Sequence, residues 1–250
     1  MTLPSIARRR DVQVLAALVV VAGIAGGAYG LWTIFLKPAG PAAVSTSLLA
    51  TPSASSGGSS TSSPIATGTH SLVVNTSLGS FSDFSSSFVG YRVQEELASI
   101  GGNTAVGRTP DVSGTVTIEG MTVTAAEITA DLSTLKSDDD RRDSQLRRQA
   151  IETERYPTAT FLLTEPIELP AAAAQGETVK VTATGDLTLH GVTRSVRIPL
   201  QARLETDRVV LIGSLDITFA DFQIEKPNSF LVLSVDDHGI LELQLLLTEA

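Results

Sequence analysis

The chain has 250 residues, and its 18 basic and 27 acidic side chains give a formal net charge of −9. It contains no cysteine, which excludes disulfide bonds, thiol catalysis and cysteine-ligated zinc. Four basic residues and one acidic residue lie at or before Lys37, which leaves 14 basic and 26 acidic residues in the rest of the chain. This excess of negative charge argues against a nucleic-acid partner or a surface that adheres to anionic lipids.

A membrane span is predicted near the N-terminus. Residues 12–36 are 25 uncharged residues, and at about 1.5 Å per helical residue they can cross a hydrocarbon core of roughly 30 Å. The arginines at 8–10 and the single Lys37 after the span predict that residues 1–11 are cytoplasmic and that the rest of the chain is extracytoplasmic. A cleaved signal peptide is the alternative, but its apolar region is normally shorter, at about 7 to 15 residues.

The predicted span carries two pairs of glycines four residues apart, Gly23 with Gly27 and Gly26 with Gly30. This spacing lets two membrane helices approach closely, which makes a homodimer one option. Glycine is also common in membrane helices that do not dimerise, so the pattern alone does not decide between the two.

A linker is predicted at residues 37–69. The stretch from Pro38 to Gly68 is uncharged and is made almost entirely of Pro, Ala, Ser, Thr and Gly. Such a composition cannot bury enough apolar surface to fold. We therefore expect a disordered tether that holds a domain at 70–250 away from the bilayer.

Within residues 70–250 the apolar side chains alternate with polar ones at a period of two, which predicts half-buried strands. We expect eight to ten strands, with the clearest patterns at 115–119, 181–189, 196–201, 209–219, 230–235 and 240–247. Many antiparallel strands joined by short turns favour a sandwich or a closed barrel, and closure removes the exposed edges. The lumen of an eight-stranded barrel is filled by side chains or holds one small ligand.

One short helix is predicted at Ser137–Thr153. Ser137 is the expected N-cap, and Asp138 to Asp140 place negative charge in the first turn, where the helix dipole favours it. Pro157 then biases the chain back to an extended state.

His190 is the most tempting candidate for chemistry, since imidazole is a common ligand and general base. It stands with Gly191 where the alternation changes phase, and this pattern predicts a hairpin turn. A three-histidine metal site would need His70, His190 and His238 to converge from separate segments, so we expect no metal. Asp186 is the nearest acidic residue that an enzyme using His190 could employ.

Ser133 and Lys136 match the serine-x-x-lysine signature of penicillin-binding enzymes. The Ser-Asp-Asn and Lys-Thr-Gly partners of that signature are missing from the sequence. The match therefore predicts no catalytic activity, and we expect neither an enzyme nor a cofactor.

Three segments occur in a fixed order: RDxxL with Arg142 and Asp143, YPTATF at Tyr156–Phe161, and GDLTLHGVTR at Gly185–Arg194. Together they resemble the YceI-like family across residues 70–250. The resemblance implies a mainly β fold, an eight-stranded antiparallel lipocalin-like barrel with one short helix. It also implies an exported bacterial protein, because family members are typically exported and some hold a polyisoprenoid chain in the lumen.

The resemblance implies a structural role for the motif residues, with Arg142 and Asp143 fixing the helix to the barrel through ion pairing. These residues are Arg142, Asp143, Tyr156, Pro157, Phe161, His190 and Gly191. The partner that it implies is a long-chain isoprenoid or another apolar lipid. The expected lining positions are Phe161, Val181, Leu187, Leu189, Val196, Ile198, Ile217 and Phe219.

Two functions of different class remain open. The first is a lipid-binding protein anchored by its single-pass helix in the bacterial cell membrane, with its N-terminus inside and its barrel in the cell envelope. The second is a structural or interaction domain of an envelope complex, which would have a barrel filled by its own side chains.

Overall fold

The computed structural model describes residues 41–44, 68–98, 101–226 and 232–250. The membrane span predicted at 12–36 and most of the tether predicted at 37–69 lie outside these residues. Within the described ranges no helix is both long and apolar enough to cross a bilayer.

Thirteen strands in this part of the chain form one antiparallel sheet. Several are short and lie at the ends of longer neighbours, which is why the count exceeds the expected eight to ten. The strands are β1 (Thr69–Val74), β2 (Phe88–Leu97), β3 (Gly101–Thr109), β4 (Val112–Glu119), β5 (Thr122–Asp131), β6 (Lys136–Ser137), β7 (Thr158–Leu163), β8 (Ile167–Glu168), β9 (Val179–Leu189), β10 (Val192–Leu204), β11 (Val209–Thr218), β12 (Val232–Val235) and β13 (His238–Glu249).

Eight of the strands close into a ring. Their order is β1, β4, β5, β7, β9, β10, β11 and β13, and β13 returns to β1 through the pairing of Glu249 with Leu72. The other half of β13 pairs with β2, which extends the sheet through β3 and β6. The prediction of an eight-stranded antiparallel barrel is confirmed.

The alternation of side chains along β13 separates the inside of the barrel from the outside. Leu243, Leu245 and Leu247 line the interior. Leu246, on the opposite face, packs with Val210 and Ile212 of β11 in a separate apolar cluster. Both faces of this strand are therefore buried, although by different parts of the molecule.

The helix α1 spans Asp140–Gln145, and one π-helical turn continues it through Leu146–Ala150. The predicted helix over Ser137–Thr153 was therefore too long at both ends. The overestimate at the N-terminal end comes from the choice of cap, because several residues of the SDDD sequence can serve as one.

Asp139, and not Ser137, is the N-cap of α1. Its backbone is extended, and its carboxylate accepts hydrogen bonds from the backbone N–H groups of Arg141 and Arg142. Ser137 lies in β6 instead, where its backbone N–H and hydroxyl donate to Oδ1 of Asp143 at 3.0 and 2.6 Å. Ser137 also pairs with Gly107 of β3, so it is part of the sheet and Asp139 serves as the cap.

Residues 41–44 depart from the predicted free tether, because they lie against the outside of the barrel. The guanidinium of Arg108 donates to the carbonyl oxygen of Ala42 at 2.7 Å, and Val44 packs on the outer cluster of Val210 and Leu246. The first strand begins at Thr69, one residue before the predicted start of the domain.

Candidate functional site

The interior of the barrel contains a cavity of about 340 Å³. Its walls are mainly inward-facing side chains of the ring strands and of β2, and most of them are aliphatic. Ala173 and Ala174, from the 3-10 turn Ala171–Gln175, also border it. An apolar cavity of roughly 150 Å³ can hold a benzene molecule, so this one is large enough for part of a branched hydrocarbon chain.

Seven of the eight residues predicted to line the lumen border this cavity. They are Phe161, Val181, Leu187, Leu189, Ile198, Ile217 and Phe219. Val196 does not border the cavity and packs against the buried cluster that contains Leu187 and Leu189. The period of a strand predicts which side chains face inward, but it does not predict which of those side chains border the cavity. Contact of these residues with a ligand remains a prediction.

The YPTATF and GDLTLHGVTR segments interlock sterically. A Cβ atom at Gly185 would lie 2.5 Å from Cζ of Phe161 and 2.3 Å from the carbonyl oxygen of Leu162. At Gly191 it would lie 2.5 Å from Cε1 of Tyr156. Both glycines leave room for an aromatic ring of the other segment, so the two motifs need each other.

His190 and Gly191 form a two-residue turn between β9 and β10. Their φ angles are 52° and 71°, and the flanking Leu189 pairs directly with Val192. Two central residues with positive φ define a type I′ hairpin turn, whose twist matches that of the strands. The change of phase in the sequence corresponds to this turn.

The imidazole of His190 connects three parts of the chain. Nδ1 lies 3.1 Å from the carbonyl oxygen of Phe222, and Nε2 lies 2.9 Å from a carboxylate oxygen of Glu152. Tyr156 meets the ring edge-on, with centroids 4.6 Å apart. Asp186 is not one of these partners, because it lies opposite Ser195 on β10. The site that an enzyme would need at His190 and Asp186 is therefore not assembled.

Arg142 and Asp143 fix α1 to the sheet through different partners. Arg142 donates to Glu95 of β2 at 2.6 Å and also pairs with Asp138, whereas Asp143 accepts the hydrogen bonds from Ser137. Burial alone lowers the pKa of Arg142, but the hydrogen bond to Glu95 and its charge outweigh burial, so the pKa is raised. The ion pair keeps the helix in place.

Glu95 and Arg142 also border the cavity, as a charged pair beside an otherwise mainly apolar wall. Glu95 accepts a second hydrogen bond, from Nδ2 of Asn103 at 2.7 Å. Sequence analysis missed Glu95. A signal was present, because Tyr91, Val93 and Glu95 occupy alternate positions on β2, and a charged residue breaks that apolar series.

Tyr91 is another buried residue with a polar group that the sequence analysis did not single out. Its ring lies against Gly107, where a Cβ atom would come within 2.3 Å of the ring carbon Cε1. Burial strongly raises the pKa of its phenol. Its hydroxyl oxygen is fully enclosed and has no hydrogen-bond partner in the described part of the chain.

The serine-x-x-lysine match has a structural explanation. The hydroxyl of Ser133 donates to Oδ1 of Asp131 at 2.6 Å, and Asp131 caps the 3-10 turn Leu132–Thr134. Lys136 lies in β6 opposite Arg108. The match therefore marks a capped turn that leads into a strand.

The three histidines have separate partners. His70 lies 2.7 Å from Glu249, His238 lies 3.1 Å from Asp237, and His190 contacts Glu152. Over the described ranges no three His, Cys, Asp or Glu side chains are grouped so that they could hold a metal ion.

A family model described as the YceI-like domain matches residues 59–247. Among solved structures, the chain is similar to a polyisoprenoid-binding domain from Saccharophagus degradans implicated in plant cell wall breakdown. The TM-score is 0.53 at 19% identity, over 72% of this chain and 99% of that one. It is also similar to BcnA of Burkholderia cenocepacia, with a TM-score of 0.53 at 18% identity, over 69% and 98% of the two chains. At these identities the likeness concerns the fold alone. A search of curated proteins found no match to the sequence.

Proposed function

The chain belongs to the YceI-like family, and from this we propose that its barrel binds a long apolar lipid, a polyisoprenoid, in the lumen. The observation that carries the proposal is the internal cavity of about 340 Å³ with its mainly aliphatic wall. Small-molecule sites are typically concave, mostly apolar and already formed before binding. A hydrocarbon chain matches such a wall because it needs few polar partners.

The relatives add support for the class of ligand. The Saccharophagus degradans domain, which is described as polyisoprenoid-binding, is covered over 99% of its length by this chain. The cavity also disfavours the competing hypothesis of an interaction domain with a filled barrel. A filled barrel needs side chains that occupy its interior.

We also propose a binding protein and not an enzyme. The imidazole of His190 forms hydrogen bonds with the carbonyl oxygen of Phe222 and with Glu152. The hydroxyl of Ser133 donates a hydrogen bond to Asp131. Each candidate for chemistry thus has a structural partner that accounts for its position.

The proposed location is the bacterial cell membrane, with the barrel on the extracytoplasmic side. The support comes from the uncharged residues 12–36 and the arginines at 8–10, which favour an inside N-terminus. The span would be the link to the membrane, and its glycine pairs make a homodimer one arrangement of that helix.

Two neighbouring alanines of β5 provide a matched test of lumen binding. Ala126 borders the cavity, whereas Ala125 is exposed. We expect the side chain of Ala126→Trp to fill part of the lumen and to exclude a part of the ligand about as large as an aromatic ring. The ligand would then lose more than about 1.4 kcal/mol of apolar burial, so the affinity for a fluorescent prenyl alcohol should fall by at least about tenfold.

Ala125→Trp introduces the same side chain on the outside and should bind the prenyl probe like the original protein. Circular dichroism and thermal unfolding establish that both variants fold. The proposal is contradicted if the original protein takes up no probe, or if the two variants bind equally well.

A further inference from the structure

A buried charge cluster lies on the outer face of β2, β3 and β13. Glu242, Gly90 and Arg108 are directly opposite one another on the three strands, and the guanidinium of Arg108 reaches Glu242 at 2.6 Å. Gly90 leaves the space that this crossing needs, because a Cβ atom there would come within 2.7 Å of Cγ of Arg108. Arg92 binds the other carboxylate oxygen of Glu242 at 2.8 Å.

The cluster contains two positive charges and one negative charge, and its side chains are only 1 to 13% exposed. A guanidinium has five N–H donors, so one carboxylate cannot satisfy two arginines. Buried charges that lack hydrogen-bond partners are costly. With residues 41–44 in place, the N–H groups of the two arginines that do not reach Glu242 therefore need other acceptors.

Residues 41–44 supply those acceptors from their main chain. Arg92 donates to the carbonyl oxygen of Pro41 and Arg108 donates to that of Ala42, while the N–H of Val44 lies 3.4 Å from Glu242. The side chain of Val44 packs against Val210, Ile212 and Leu246, so the contact combines hydrogen bonds with an apolar anchor.

We propose that this outer face is a docking site for an extended peptide main chain and that its occupant is the chain's own segment 41–44, here called the strap. The folded domain then includes residues 41–44, although the YceI-like match begins at residue 59. The strap covers charges that a shorter domain would leave exposed.

Hydrogen exchange measured by mass spectrometry on the full-length protein in detergent tests the strap. We expect the amide of Val44, whose N–H lies 3.4 Å from Glu242, to exchange at least about tenfold more slowly than in an unstructured peptide, because docked backbone opens only through local unfolding. Exchange at the unstructured rate would overturn the proposal. Protection that disappears on dilution would also overturn it, since that result indicates docking onto a second copy.

Val44→Asp and Ala43→Asp form a matched pair for the same experiment. Val44 faces Glu242 and the apolar cluster, whereas Ala43 is exposed. We expect Val44→Asp to lose the tenfold protection of the strap and Ala43→Asp to keep it. Equal protection in the two variants, or equal loss, would contradict the docking geometry, and the measurement on the unmodified protein stands even if one variant fails to fold.

Discussion

The inner and outer faces of β13 differ in how completely they are packed. Inside, Leu243, Leu245 and Leu247 border a cavity of about 340 Å³. Outside, Glu242 and Gln244 are each only 2% exposed. The apolar face is thus incompletely filled, whereas the polar face is closely covered.

The cover of the outer face comes partly from the loop before β2. Nε2 of Gln244 donates to the carbonyl oxygens of Phe84 and Ser86 at 2.9 and 2.7 Å. The guanidinium of Arg108 lies over the rings of Phe84 and Phe88, 4.3 and 4.4 Å from their centroids. Such cation–π contacts are favourable, more so when desolvated.

Residues that border a cavity make fewer packing contacts within the protein than residues in a filled core. In this barrel the outer face of the same wall supplies dense packing and satisfied hydrogen bonds. We infer that the stability of this wall depends mainly on its outer face and that ligand binding depends on its inner face. Substitutions on the two faces should therefore have different effects.

The largest effect is expected from Glu242→Gln, which removes the negative charge between Arg92 and Arg108 while keeping the shape of the side chain. We expect the free energy of unfolding to fall by about 3 kcal/mol, because two buried arginines lose their counter-ion. Urea unfolding followed by circular dichroism measures the change. Lipid binding should persist at temperatures where the variant is folded.

Glu249→Gln is the matched control on the same strand. Glu249 pairs with His70, but its side chain is 64% exposed, so we expect a change below about 0.5 kcal/mol. If Glu242→Gln lowered the free energy of unfolding by less than about 1 kcal/mol, the proposed difference between the two faces would be contradicted. Removing one partner of a buried ion pair normally costs more stability than that.

A smaller effect is expected from His190→Asn at the end of the barrel. Asparagine tolerates the positive φ of a type I′ turn, so the hairpin should remain, and the loss of the contacts to Phe222 and Glu152 should cost about 1 to 2 kcal/mol. Thermal unfolding and lipid uptake are measured together. Loss of lipid binding in a variant that still folds would assign His190 to the ligand site and contradict its structural role.

The sequence predicted those strands and turns that are determined by residues close to one another in the chain. The alternation along β9 and β10 and the glycine after His190 predicted two strands and the turn between them, because strand period and turn chemistry depend on neighbouring residues. The cap of α1 was mispredicted for a nonlocal reason, since Ser137 is held by Asp143 and by its place in β6.

The outer face could not be predicted in the same way. Arg92, Arg108 and Glu242 occupy outward positions, where charged residues normally contact water, and nothing in the local pattern indicates that residues 41–44 cover them. The sequence separation is also large, at 198 residues between Val44 and Glu242. Inside the barrel, the local pattern of β2 marks Glu95 as an inward charge, but its partner Arg142 lies in a different element and could not be predicted from that pattern.

Native mass spectrometry of the full-length protein, isolated in mild detergent, tests lipid binding most directly. We predict a mass increment that corresponds to an isoprenoid chain and that disappears after delipidation. Adding a prenyl alcohol to the delipidated protein should restore an adduct of the added mass. A folded protein that carries no lipid from cells and takes up none of the added prenyl alcohol would contradict the proposed function.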